Sequence, residues 1–108
     1  MTEVDNELFL LIEAVKHSKT YIDYDRARIT LKSDPELMER VNRYREENFR
    51  LQNSVDDGTL QDRIDTFAKE NMELSEEPRV RAFLNAELAL CRMLQAISEG
   101  VVEGINFE

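Results

Sequence analysis

Proline is the residue that a helix interior cannot hold, because its ring removes a backbone N–H and clashes with the preceding turn. This chain has two, Pro35 and Pro78, and each stands in the same phrase. Residues 31–42 read "LKSDPELMERVN" and residues 74–85 read "LSEEPRVRAFLN", so the pattern L-x-x-[D/E]-P-x-[L/V]-x-x-x-[V/L]-N occurs twice, 43 positions apart. At the same offset Tyr21 aligns with Ile64, Tyr24 with Phe67 and Leu31 with Leu74. Each proline also drives the residue before it out of the helical region, so one helix must stop and another begin there. Either the copies share an origin or two Pro-started helices have arrived at one pattern. Both routes give a helix, a break and a second helix, twice.

The remaining punctuation fixes the count. "DDGT", residues 56–59, is a turn in which Gly58 can end a helix and Thr59-x-x-Asp62 can start the next. Between the breaks the apolar residues recur at helical spacing. The first segment, opened by a capping-box pattern Thr2-x-x-Asp5, carries two stripes: Leu8, Leu11, Val15, Ile22 and Ile29, and beside them Leu10, Ala14, Tyr21, Tyr24 and Leu31. The second carries Leu37, Val41, Tyr44, Leu51 and Val55, interrupted by Asn48, with Glu36–Arg40, Glu39–Arg43 and Glu46–Arg50 spaced for ion pairs on the wet face. The third carries Leu60, Ile64, Phe67 and Leu74, with Asn71 among them; the fourth has a broad face from Val80 and Phe83 through Leu94, Ile97 and Val101 before Gly100 and Gly104 loosen its tail. The expected fold is all-α: one domain over residues 1–108, with four antiparallel helices near 3–32, 35–55, 60–75 and 78–100, arranged as two helical hairpins in a bundle.

At the proline breaks the expected structural caps are Asp34 with Pro35 and Glu77 with Pro78, although Ser33 with Glu36 is an alternative register for the first. Glutamate is a poorer cap than aspartate, so Glu77 is expected to contribute less. Two apolar stripes on the first helix and a broad face on the fourth exceed what a small bundle hides, so a homodimer through these helices is expected.

Charge narrows the partners. The net charge is −9, and it is divided unevenly: nine basic against eleven acidic residues over 1–55, five against twelve over 56–108. Gripping a phosphate backbone needs clustered basic charge, so direct nucleic-acid binding is not expected. The opening "TEVDNE" has no basic region before an apolar run, so no signal peptide is expected. The longest apolar run, Leu8 to Ile12, is too short for a membrane span. Cys91 is the sole cysteine, which fits a reducing, cytoplasmic setting.

No stretch carries catalytic or metal-binding chemistry. Cys91 and His17, the only histidine, invite a nucleophile–base pair, yet Cys91 sits among Leu88, Leu90 and Leu94, where a thiol behaves as a small hydrophobe. Glu13 and His17 lie one turn apart, at the wrong spacing for the Glu-x-x-His units of a di-iron bundle. Catalytic residues, metal ligands and cofactors are therefore expected to be absent. The one candidate ligand site is a pocket between helices lined by Tyr21, Tyr24 and Glu87. There Glu87 is either a paired, partly exposed acid or a buried one.

The segments "SKTYIDYDRARITLKSDPEL", "NRYREENFRLQ", "DDGT" and "EEPRVRAFLNAELALCRMLQAISEGV", in that order and spacing, resemble the YlbF/YmcA family of small helical bacterial proteins over nearly the whole chain. The resemblance implies a self-associating cytoplasmic protein without enzymatic activity. It would act in the regulation of competence, sporulation and biofilm formation and associate with a ribonuclease complex that processes RNA. Some members hold iron–sulfur clusters on cysteines. This chain departs there, since one thiol cannot supply the usual four ligands. The functional expectation is a regulatory adaptor working through protein–protein contact, with a small-ligand-binding helical protein as the alternative.

Overall fold

The computed structural model describes residues 2–106. They are helical, with no strand among the described residues, in six helices: α1 (Glu3–Lys16), α2 (Lys19–Lys32), α3 (Pro35–Gln52), α4 (Leu60–Glu70), α5 (Met72–Glu76) and α6 (Pro78–Ile105). The fold is all-α, and the count is six rather than four. Both extra breaks come from short polar side chains that bond their own backbone and compete with the helical ladder. At the first, the Ser18 hydroxyl donates to Val15 O at 2.6 Å and accepts from Tyr21 N at 3.2 Å. Ser18 thereby ends α1 and caps α2, while the His17 ring nitrogen Nδ1 turns back to Glu13 O at 2.6 Å. At the second, Asn71 Nδ2 donates to Phe67 O at 2.9 Å and separates α4 from α5.

Other boundaries also differ in detail. α3 ends at Gln52 rather than near Val55, because Asn53 Nδ2 and the Ser54 hydroxyl bond the carbonyls of Phe49 and Arg50. Thr59 makes no side-chain cap to α4; its hydroxyl donates instead to Asp57, which also takes the Thr59 N–H. Asp56 accepts the N–H of Gly58, whose φ of +92° is the left-handed conformation that glycine tolerates. Gly100 and Gly104 do not loosen α6, which continues through both to Ile105. At the amino end the capping box is formed: Thr2 and Asp5 exchange bonds between side chain and backbone N–H.

The chain divides into two compact units, one of residues 1–28 and 83–108 and the other of residues 29–82. In the second unit the buried side chains are Leu31, Leu37, Val41, Leu74 and Val80, and Tyr44 stacks on Phe67 with centroids 5.2 Å apart. Both proline starts belong to this unit. Asp34 accepts the N–H of Leu37 at 3.2 Å, with Pro35 as the first residue of α3. At α6 the Glu77 carboxylate accepts two backbone N–H groups, those of Arg79 at 2.8 Å and Val80 at 3.0 Å. Glu77 thus accepts two backbone N–H groups of its helix start where Asp34 accepts one. The Arg79 guanidinium then bridges the two caps, 2.9 Å from Glu77 and 3.3 Å from Asp34.

The first unit consists of α1, most of α2 and the greater part of α6. Its buried centre is Phe83, packed by Tyr24 at 5.7 Å, with Tyr21 at 6.3 Å from Tyr24. Tyr24 lies against Phe83, Ser18 lies 3.9 Å from Met93 Sδ, and α1 shares a groove with residues as far along as Ile97. Following the chain backwards therefore climbs α6, so α2 and α1 both run antiparallel to it.

Candidate functional site

Amphipathic helices normally hide their apolar stripe. α1 hides none of its residues. Val4, Leu8, Phe9, Leu10, Leu11 and Ile12 are all exposed, from 38% at Leu11 to 76% at Val4. α6 in turn leaves Leu88, Leu94, Val101, Val102 and Ile105 exposed. Its broad apolar face is buried only at its start, through Val80 and Phe83.

Between the two helices runs an open groove of about 390 Å³. α1 supplies Leu8, Leu11, Ile12 and Val15; α6 supplies Leu90, Leu94 and Ile97; Tyr21 and Lys16 complete it. Its walls are nearly all hydrocarbon, so it is suited to taking up apolar side chains and holds no convergent polar groups for chemistry. A second depression, of about 470 Å³, lies in the other unit between α3 and α4. Arg50 and Arg63 reach into it, but Glu46 pairs with the first and Asp57 lies 3.7 Å from the second. Asp57 is held below its ordinary carboxylate range, first by the Thr59 hydroxyl, then by the Thr59 N–H, with Arg63 a smaller influence.

Of the residues singled out from sequence, Tyr21 and Tyr24 remain ring neighbours, 6.3 Å apart. Tyr21 lines the apolar groove, whereas Tyr24 packs on Phe83 and Glu87, half-buried on α6, is not among the groove's lining residues. Cys91 is exposed rather than packed as a small hydrophobe. His17 bonds the backbone of Glu13, not its carboxylate. Among the described residues no group of three or more His, Cys, Asp or Glu could hold a metal ion. Nor is any helix among them long and apolar enough to cross a membrane.

Sequence reasoning missed Arg79 and Val4. The signal for Arg79 was its place directly after the second proline, within reach of a carboxylate on either side of the repeat. Val4 extends the stripe of Leu8, Leu11 and Val15 back by one turn.

No curated protein and no solved structure matches the chain. The family model described as "Control of competence regulator ComK, YlbF/YmcA" matches residues 4–106, from the first turn of α1 to the end of α6. With all but five of its 108 residues inside that match, the chain belongs to the YlbF/YmcA family of competence regulators.

Proposed function

We propose that this protein is a non-enzymatic regulatory adaptor that works in the cytoplasm as a homodimer and docks onto another protein. It takes no direct hold on nucleic acid and uses no cofactor. A ribonuclease complex is the client that the family resemblance points to, with competence, sporulation and biofilm formation as the processes served. The observation that carries this reading is the exposure of apolar side chains on more than one side of α1, Leu8 and Leu11 on one and Phe9 and Leu10 on others. Large apolar anchors of this kind supply most of the binding energy when a partner covers them. An unpartnered set of such size marks an interaction surface.

The test is retention of a cellular client on the immobilised protein from a nuclease-treated lysate, with the client identified by mass spectrometry. A ribonuclease subunit should be held by the wild type and lost from Phe9→Asp and Leu10→Asp variants. Capture that disappears on nuclease treatment would mean the contact is with nucleic acid. A small molecule recovered stoichiometrically from the apolar groove beside Tyr21, with no protein client, would favour the ligand-binding alternative.

A further inference from the structure

Leu8, Leu11 and Val15 line the groove with Ile12, and Val4, exposed one turn earlier, extends them to the α1 stripe Val4, Leu8, Leu11, Val15. Its spacings are four, three and four, and its residue types are the same in either direction. A stripe with this symmetry is complementary to itself when a second copy is laid against it antiparallel. Turned about a two-fold axis passing between Leu8 and Leu11, each leucine of one copy meets a leucine of the other, and each Val4 meets Val15. Isologous interfaces have this reciprocity by necessity.

We infer that α1 pairs antiparallel with α1 of a second copy, each helix seated along the other's α1–α6 groove. This rests on the homodimer proposed above and names its interface and direction. Charge agrees with that direction. Asp5 and Lys16 lie on the same flank of the stripe, at nearly mirrored positions, so antiparallel pairing brings Lys16 of each copy towards Asp5 of the other. Parallel pairing would instead turn this flank towards the partner's other flank, which carries Glu3 and Glu7 and would set acid against Asp5.

Area agrees as well. The accessible surface is 8471 Å² for a 12.7 kDa chain, where a folded monomer of that mass exposes roughly 6,200 Å². The excess, on the order of 2,000 Å² per chain, is what homodimers of the larger class bury. The pairing leaves Phe9 and Leu10, which point away from the stripe, for the client.

Two measurements separate this interface from the reading it rests on. In a Cys91→Ser background, Val4→Cys and Val15→Cys proteins are prepared separately, mixed and treated with diamide. Antiparallel pairing places position 4 opposite position 15, within disulfide reach, and leaves each position about 16 Å along the axis from its own copy. The mixture should therefore cross-link, and neither protein alone should. Light scattering of the wild type should report a dimer at micromolar concentration. A Leu8→Asp variant should be monomeric with its helical circular dichroism kept, since Leu8 is exposed within the chain. A dimer that cross-links only between identical positions, or in no combination, overturns the antiparallel α1 pairing and leaves self-association standing. A wild-type monomer overturns both, and the groove then belongs to another protein's helix or to an apolar ligand.

Discussion

Arg79 is the residue where the repeated phrase becomes a physical contact. Its guanidinium reaches the carboxylate that starts each of the two Pro-led helices. Glu77 does double duty there, accepting two backbone N–H groups and the Arg79 side chain. Its pKa is lowered below the ordinary 4.5, first by the Arg79 side-chain hydrogen bond and then by the backbone N–H of Val80. A carboxylate whose folded pKa is depressed contributes stability above its unfolded pKa and loses it as pH falls through the folded value. The protein should therefore lose stability as pH drops below about 4.5, and a Glu77→Gln variant should lose less over the same range in urea melts. At neutral pH, Asp34→Ala should cost about 1 kcal/mol, typical of a lost cap. Glu77→Ala should shift the urea midpoint at least as far, because it removes the acceptor of two backbone N–H groups and leaves Arg79 with Asp34 alone. Equal behaviour of wild type and Glu77→Gln in acid would show that the carboxylate contributes nothing there.

At the scale of the helix, the glycines of α6 and the turn give opposite expectations. A side-chain carbon placed on Gly100 would meet nothing within 4 Å, and its backbone is helical. Gly100→Ala should stabilise the protein by about 0.5–1 kcal/mol by reducing the freedom of the unfolded chain. Gly58 has equal space but a φ of +92°, so Gly58→Ala should destabilise it. Thermal melts of the two variants should move in opposite directions. Helix content and the major breaks were legible in sequence because proline and periodicity act through the backbone alone. The breaks at Ser18 and Asn71 were not, because the apolar spacing continues almost unchanged across an interruption of two residues at the first and one at the second. Only the hydroxyl and amide bonds to Val15 O and Phe67 O reveal them. The groove was half legible: Leu8, Leu11 and Val15 stood out as a stripe, but nothing in a stripe tells whether α6 closes over it or leaves it open.

For the whole molecule the deciding quantity is charge. The net charge is −9, and residues 56–77 hold eight acids against two bases. Those acids lie along α4, α5 and the turn before them, mostly exposed. A field of one sign accelerates encounter with a partner of the other and acts on the association rate more than on the lifetime of the complex. The client should therefore present a basic surface. Glu70 and Glu73 are both exposed and appear in none of the ion pairs described above. Glu70→Lys combined with Glu73→Lys should slow association by about tenfold at low salt. The dissociation rate should stay nearly unchanged, since rim charges seldom hold a complex together once formed. Raising the ionic strength shortens the screening length from roughly 10 Å at 0.1 M to 3 Å at 1 M, so the two proteins should converge in rate as salt is added. Surface plasmon resonance over a salt series separates the two constants. A loss confined to the dissociation rate, or one that salt leaves untouched, would place Glu70 and Glu73 inside the contact rather than in the field around it.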